Sequence, residues 1–170
     1  MVRLCAVLTA VVMFFSQTDM YEIMWNNTDD EVRKTLPVGV QAYACGMSEN
    51  EFKYLAQVIE AESDRSDDIE GKILIAAVIL NRVADDRFSD SIEAVLNEPG
   101  QFSTTSGGQC AINYTQSSRW AIVEAQRALA EGEIPENLLY FNCIGYNMPG
   151  YCIPYDYVGG NYFMTTEEGD

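Results

Sequence analysis

The sequence predicts a mainly α-helical domain of the α+β class, with a small β-hairpin near its C-terminus. Between residues 48 and 131, apolar residues recur at helical spacing in segments that begin at capping residues and end at glycine or proline. After residue 137, two short aromatic-rich runs flank a loop of Gly, Pro and Tyr, which is typical of paired strands. With 170 residues, 48% of them hydrophobic, the chain can bury one core of its own.

The first 16 residues differ in composition from the rest. Arg3 precedes an apolar run over residues 4–15, and a polar stretch begins at Ser16. A basic start, a short apolar segment and a polar exit are typical of a secretory signal peptide, and the run is shorter than the ~20 residues of a membrane-spanning helix. We therefore predict a signal peptide over 1–16 and secretion, with a core helix or strand at 4–15 as the alternative. Residues 17–47 are predicted as an N-terminal extension or linker before the main domain at 48–170.

Four helices are predicted in the main domain. Ser48 with Glu51 three residues later has the pattern of a capping box, so a helix begins there and runs to about residue 62. The next helix, over 68–83, is apolar on nearly all sides and is therefore expected at the centre of the fold. A short helix is predicted over 90–96, and a fourth over 117–131 with Gly132 as its C-terminal cap.

The chain contains no histidine, which excludes Ser-His-Asp triads, Cys-His pairs and the usual histidine-containing zinc sites. Carboxylates remain, and Glu62 lies where the first of these helices gives way to a polar loop. Val58 and Ile59, one turn earlier, are apolar, and an apolar setting favours a carboxyl group that keeps its proton for glycosidic bond cleavage. From spacing alone, a glutamate at a helix end is more often a solvated surface residue, and that is the alternative reading. Glu60 points to another face and is expected to be solvated or structural.

The loop after Glu62 offers further carboxylates. Asp64 or Asp67 could act as the second acid of a hydrolase that uses water, since glycosidases commonly work with a pair of carboxyl groups. Asp67 and Asp68 also lie where N-caps of the next helix belong. The spacing does not have the order of an EF-hand calcium loop, and we expect neither a metal nor a cofactor.

The charge and the cysteines limit partners and compartment. A net charge of −16 disfavours nucleic-acid binding, which needs a basic surface. After the predicted leader four cysteines remain, an even number that fits an oxidising compartment. We predict Cys143–Cys152, which bracket a short loop, and Cys45–Cys110 as disulfides, with buried free thiols as the alternative. Once the leader is removed, we expect a monomer without membrane insertion.

Two segments could bind sugars. Residues 100–106 are rich in hydroxyl and amide groups and could hydrogen-bond to sugar hydroxyls, although a simple turn explains them equally well. Six of the ten tyrosines follow residue 139. Tyrosine rings suit the C–H faces of sugars, but they also suit the core of a loop-rich domain end, and both readings stay open.

Several motifs, in order, carry a resemblance to a known family. They are Leu55-Ala-x-Val-Ile-x-Ala-Glu62, Glu70-Gly-Lys-Ile-x-Ile-Ala-Ala-Val-Ile-Leu-Asn-Arg-Val83, Arg87-Phe88, Ile92-Glu-x-Val, Pro99-Gly-Gln-Phe-Ser103, Leu139-Tyr-Phe and Gly159-Gly-Asn-Tyr-Phe163. Together, residues from about 50 to 165 resemble the spore cortex-lytic (SleB-type) cell wall hydrolases. The resemblance implies a lysozyme-like fold and an enzyme that acts on peptidoglycan in the cell wall.

The resemblance also implies a reaction and a set of site residues. The family's general acid matches Glu62, and the implied reaction is lytic transglycosylation between N-acetylmuramic acid and N-acetylglucosamine, in which one glutamate serves as acid and then as base. The alternatives are a muramidase-type hydrolase that uses water and an inactive glycan-binding domain of the same fold. The candidate substrate-binding residues are Gln101, Phe102, Ser103, Tyr140, Asn161 and Tyr162.

The chain departs from the family pattern in two places. The loop between Glu62 and Gly71 is about one residue longer than usual and lacks the Arg-Gly-Glu that often follows the acid. Asn161 stands where many relatives carry histidine. Asparagine can donate or accept a hydrogen bond there, but it cannot titrate near neutrality.

Overall fold

The computed structural model describes residues 16–63, 68–102, 105–106, 109–145 and 150–167. The predicted signal peptide therefore lies almost entirely outside the described residues. Within the described part, no helix combines the length and apolar character needed to cross a membrane. The helices are α1 (Gln17–Asn26), α2 (Asp30–Arg33), α3 (Val38–Ala44), α4 (Glu49–Glu62), α5 (Ile69–Ala84), α6 (Ile92–Leu96) and α7 (Gln116–Ala130). The strands are β1 (Thr105–Ser106), β2 (Gln109–Cys110), β3 (Leu138–Asn142), β4 (Cys152–Val158) and β5 (Asn161–Thr166).

The mainly α-helical class with a small β component is confirmed. The predicted capping box forms at the start of α4: the Ser48 hydroxyl accepts from the Glu51 backbone N–H, and the Glu51 carboxylate accepts from the Ser48 backbone N–H. Asp68 caps α5 by accepting from the backbone N–H groups of Glu70 and Gly71. Gly132 follows the C-cap of α7 with φ +71°, as a C-terminal glycine does.

Helix α5 is the centre of the fold, as its all-round apolar pattern predicts. The five consecutive residues 75–79 are fully buried, and five residues cover more than one helical turn, so every side of the helix is covered at this level. Helices α4, α6 and α7 and strand β3 pack around it. Phe52, Leu55 and Ile59 of α4 and Ile122 of α7 belong to the same hydrophobic core.

Residues 17–47, predicted as an extension or linker, form three helices. Gln41 of α3 is fully buried and donates to the backbone carbonyls of Arg33 and Lys34, which ties α3 to the end of α2. Ala42 and Cys45 join the core of the main domain. The boundary at residue 48 stays a prediction.

The C-terminal sheet has one strand more than the predicted hairpin. Both predicted strands form, as β3 and β5, and they pair antiparallel. The third strand, β4, lies within the segment predicted as a loop and pairs with the other side of β5, giving the order β3-β5-β4. Pro154 is compatible with β4 because this is an edge strand, where a proline without an N–H is tolerated.

Two polar side chains of α5 fasten β3 to the helical core. The Asn81 amide donates to the backbone carbonyls of Pro135 and Leu138, each at 3.0 Å. The Arg82 Nε donates to the carbonyl of Leu139 at 2.8 Å. Because both side chains are buried, these bonds fix the position of β3 on α5 firmly. The Asn-Arg pair of the α5 motif therefore has a structural role.

Both predicted disulfides are wrong: Cys45, Cys110, Cys143 and Cys152 are free thiols. Cys143 follows β3, whereas Cys152 begins β4 opposite Thr166, and β5 lies between these strands. Two strand spacings of about 10 Å therefore separate the two cysteines, beyond the usual Cα–Cα limit of about 7 Å. The Cys110 thiol contacts the carbonyl of Gln57 in the third turn of α4, whereas Cys45 precedes that helix.

The free thiols predict a pattern of chemical labelling. Burial raises the pKa of the Cys45 thiol to about 12, so it stays protonated and unreactive at pH 8, whereas Cys143 is exposed. We expect iodoacetamide to label Cys143 rapidly in the native protein without reductant and to label Cys45 only after denaturation, as read by mass spectrometry of tryptic peptides. If Cys143 and Cys152 stayed unlabelled until a reductant was added, the free-thiol state would be refuted.

Candidate active site

Glu62 lies at the edge of a cleft between the helical core and the sheet. It is the last residue of α4 and is half-buried. The cleft has a volume of about 590 Å³, enough for a small ligand. Its lining comes from the end of α4, the turn after α6, the end of β3 and the turn between β4 and β5, and consists of Ala61, Glu62, Gly100, Gln101, Phe141, Asn142, Cys143, Gly159, Gly160 and Asn161.

The register of α4 explains the half-buried position of Glu62. Leu55, Val58 and Ile59 are fully buried and fix which face of the helix meets the core. The helix ends directly after Glu62, where the Ser63 backbone N–H donates to the Ile59 carbonyl at 3.0 Å. Glu62 therefore lies one turn beyond the buried Val58 and Ile59, and it lines the cleft. The sequence predicted Glu62 at the border between the core and a cleft, and it lies there in the structure.

Asn161 connects the sheet to the main chain of Glu62. Its side chain is 5% exposed, and its amide nitrogen donates to the backbone carbonyl of Glu62 at 3.3 Å. Asn161 also lines the cleft and begins β5. The carbonyls at a helix end lack intrahelical partners, so this bond satisfies one of them and holds the final turn of α4 against the sheet.

Gln101 also lines the cleft and is oriented by a buried cation. Its amide oxygen accepts from Nη1 of Arg82 at 2.9 Å, which leaves the NH₂ group as the end that can donate to a ligand. The Arg82 guanidinium lies 5.0–5.7 Å from the ring centres of Phe88, Phe102 and Tyr140. Burial lowers the pKa of Arg82, but an arginine remains charged at neutral pH.

Phe102, Tyr140 and Tyr162, which were also predicted to bind substrate, do not line the cleft. Phe102 is buried, with its ring centre 6.3 Å from that of Phe141. Tyr140 packs against Phe88 and Tyr151, and its pKa is raised to about 12 by burial and by its hydrogen bond with Tyr151. Tyr162 pairs with Tyr157, with ring centres 4.3 Å apart. Ser103 lies outside the described residues.

Comparison with known proteins shows which family this fold resembles. Residues 66–149 match the family described as Cell Wall Hydrolase. The fold resembles the catalytic domain of the Bacillus cereus SleB protein, with a TM-score of 0.57, 25% identity, and 69% of this chain and 91% of that chain covered. The resemblance to SleB-type cell wall hydrolases is confirmed. A second solved relative is the catalytic domain of the germination-specific lytic transglycosylase SleB from Bacillus anthracis, at a TM-score of 0.57 and 26% identity over 71% of this chain and 98% of that one.

Full-length relatives of this SleB-like chain are considerably longer. The spore cortex-lytic enzyme of Bacillus subtilis is 35% identical over 117 residues, which are 69% of this chain and 37% of that protein. The spore cortex-lytic enzyme of Halalkalibacterium halodurans is 32% identical over 97 residues, which are 57% of this chain and 28% of that protein. The chain thus spans about a third of the length of these relatives.

A buried ion pair begins two residues before Glu62 on the same helix of this SleB-like domain. Glu60 is 5% exposed and accepts from the Lys72 ammonium at 3.0 Å, and Lys72 is 1% exposed. The same Glu60 oxygen accepts from the Thr115 hydroxyl at 2.7 Å, and Thr115 is the N-cap of α7. Glu60 therefore joins the ends of α4, α5 and α7. Of the two readings, solvated or structural, the structural one is confirmed for Glu60.

The sequence motifs did not identify every residue that lines the cleft. Phe141, Asn142 and the pair Gly159–Gly160 were missed as site residues, although Phe141 and the glycines occur in the family motifs. Their role depends on the pairing of β3 with β5 and of β4 with β5, which a single sequence does not specify. Among the described residues, no group of three or more His, Cys, Asp or Glu side chains could hold a metal ion.

The turn at Gly159 is shaped by contact with α5. Its φ is +58°, and a Cβ atom at this position would lie 3.3 Å from the Cα of Gly71. The contact is mutual, because a Cβ on Gly71 would lie 3.2 Å from the Cα of Gly159. The two backbones approach so closely that a Cβ atom on either residue would be crowded, which explains Gly71 and Gly159.

Substituting Gly159 tests this contact against a matched glycine. Gly132 also has a positive φ, but a Cβ atom added there would meet nothing within 4 Å, so Gly132→Ala should lower the free energy of unfolding by about 1 kcal/mol from backbone strain alone. Gly159→Ala must also displace the α5 backbone, and we expect a loss of about 2–3 kcal/mol. Urea unfolding measures both, and equal losses would contradict the close approach.

Proposed function

We propose that this chain cleaves the glycosidic bond between N-acetylmuramic acid and N-acetylglucosamine in peptidoglycan by lytic transglycosylation. The observation that carries the proposal is the position of Glu62, half-buried at a helix end and facing the cleft. Among the described residues that line this cleft, Glu62 is the only carboxylate. Asp64 and Asp67, the sequence candidates for a second acid, lie outside the described residues. The described lining is compatible with a reaction in which one carboxyl group serves as both acid and base.

The proposed reaction has two proton transfers at the same side chain. The protonated Glu62 donates to the glycosidic oxygen while the bond from that oxygen to C1 of the muramoyl residue breaks. The resulting Glu62 carboxylate then takes the proton of the muramoyl 6-hydroxyl, whose oxygen bonds to C1 and closes a 1,6-anhydro ring. Glu62 is protonated again at the end, and no water is consumed.

The rest of the lining suits an N-acetylated sugar. Gln101, Asn142 and Asn161 supply amide groups that can exchange hydrogen bonds with hydroxyl and acetamido groups, while Phe141 offers an aromatic surface. These groups carry no charge, so recognition would depend on hydrogen bonds and stacking. That agrees with a chain whose net charge of −16 gives no general attraction to an anionic polymer.

The relatives support the same substrate class. Two of them are named spore cortex-lytic enzymes, and a solved relative is described as a germination-specific lytic transglycosylase. A peptidoglycan substrate also implies an extracellular or cell-wall location, which the predicted signal peptide at 1–16 would provide. We accordingly propose a secreted enzyme that works as a monomer on glycan strands.

Digestion of purified peptidoglycan sacculi, followed by mass spectrometry of the soluble products, tests the proposed function. We expect muropeptides that end in 1,6-anhydromuramic acid. Reducing ends would point to a hydrolase that uses water, and free L-alanine amino termini would point to an amidase. Binding to sacculi without release of any product would indicate an inactive glycan-binding domain. Each of these three outcomes would contradict the proposal.

A further inference from the structure

A row of three paired residues crosses the C-terminal sheet from the cleft to its free edge. Asn142 of β3 lies opposite Tyr162 of β5, and Tyr162 lies opposite Tyr157 of β4. Directly opposed residues of antiparallel strands place their side chains on the same face of a sheet. Asn142, Tyr162 and Tyr157, which we call the cross-strand row, therefore share one face.

The two tyrosines of the cross-strand row form an aromatic surface that is open to solvent. Their ring centres are 4.3 Å apart with an interplanar angle of 35°. Tyr157 is 56% exposed and belongs to β4, the edge strand, so its ring is not part of the core. An exposed aromatic pair on one face of a sheet is a feature that binding sites use, because it offers a large apolar surface at low entropic cost.

The cross-strand row is continuous with the cleft. Asn142 lines the cleft, and the next member of the row, Tyr162, lies directly opposite it on the neighbouring strand. Tyr157, at the far end of the row, lies two strand spacings, about 10 Å, from β3 and on the outer edge of the sheet. A polymer bound in the cleft beside Glu62 would therefore meet the tyrosines if it continued across β5 and β4.

We propose that Tyr157 and Tyr162 form an outer subsite, which stacks on a saccharide unit of the same glycan strand beyond the unit held in the cleft. The ligand class is a β-1,4-linked chain of N-acetylated sugars, whose C–H faces pack on aromatic rings while the tyrosine hydroxyls stay hydrated. The inference rests on the proposed function for the identity of the ligand. It adds a second contact region that makes binding depend on glycan length.

The 170-residue chain carrying Glu62→Gln provides the test, because this variant should bind glycans without cleaving them. Binding of a chitohexaose and a chitobiose probe is measured by calorimetry, and binding to sacculi by co-sedimentation. We expect Tyr157→Ala to weaken chitohexaose binding about three- to tenfold, the size of one lost aromatic contact, and to leave chitobiose binding unchanged. Tyr157→Phe should keep the affinity, since stacking needs the ring and not the hydroxyl.

Tyr155 supplies a matched control on the same strand. It is 40% exposed, and it lines a different groove, together with Glu70 and Arg127. Tyr155→Ala should leave the affinity for chitohexaose unchanged. Equal affinities for the parent and Tyr157→Ala, or equal losses in Tyr155→Ala and Tyr157→Ala, would overturn the outer subsite. So would a concentration-dependent dimer that Tyr157→Ala abolishes in light scattering, because the face would then be covered by a second copy.

The test separates this inference from the proposed function. If the wild-type chain releases anhydromuropeptides but Tyr157→Ala binds chitohexaose normally, the subsite fails and the proposed function stands. If the wild-type chain releases nothing but Tyr157→Ala still weakens chitohexaose binding, the proposed function fails and the subsite stands.

Discussion

Replacing Glu62 with glutamine is expected to lower the rate of muropeptide release by about 10²–10⁴-fold, the usual contribution of a general acid or base. Glutamine has nearly the same size and can occupy the same half-buried place at the end of α4, but it has no proton to deliver to the glycosidic oxygen. The rate is measured by loss of turbidity of a sacculus suspension and by quantifying soluble products.

Two controls accompany the Glu62→Gln variant. Its thermal unfolding midpoint should match that of the wild type, which shows that the loss lies in the chemistry and not in folding. Glu136→Gln makes the same chemical change at an exposed position outside the cleft lining and should keep full activity. A Glu62→Gln variant that retains wild-type turnover would remove Glu62 from the mechanism.

Replacing Lys72 with methionine should produce the largest loss of stability. The Glu60 carboxylate would stay buried with only the Thr115 hydroxyl as its partner, and breaking a buried ion pair in this way costs about 3–5 kcal/mol. That loss is a large share of the ~5–15 kcal/mol by which domains are stable. Urea denaturation followed by circular dichroism measures the loss.

Matched variants separate the buried charge from general effects of the substitution. Lys53→Met removes the partner of Glu49 in an exposed pair on α4, and it should cost less than about 1 kcal/mol. The double variant Glu60→Leu/Lys72→Met leaves no buried charge and should recover most of the stability lost in Lys72→Met. If Lys72→Met and Lys53→Met cost the same, or if the double variant is less stable than Lys72→Met, this view of the pair is wrong.

Local sequence signals identified the four helices of residues 48–131 and the place of Glu62 at the end of the first of them. The capping box at Ser48 and the apolar spacing through Ile59 determine where α4 begins, where it ends and which face it buries, so Glu62 could be placed at the border of the core from these residues alone. The all-round apolar pattern of α5 likewise predicted its central position. These features depend on neighbours within one helix, which a single sequence contains.

Features that depend on distant parts of the chain were missed. The partner of Glu60 is 12 residues away on the next helix, and Thr115 is 55 residues away, so the network could not be read from spacing. The even number of cysteines suggested disulfides, but the strand order β3-β5-β4 keeps Cys143 apart from Cys152. The same order brings Tyr157 beside Tyr162 and creates the cross-strand row, which requires the pairing register to be known.

Digestion of sacculi in water enriched in oxygen-18 tests the central claim most directly, since the claim is that one glutamate directs an internal hydroxyl, and not water, to the cleaved carbon. The account predicts anhydromuramoyl products from the wild-type chain with no heavy oxygen incorporated, and no such products above background from Glu62→Gln. Products that carry one heavy oxygen at a reducing end would contradict it, because the attacking group would then be a water molecule.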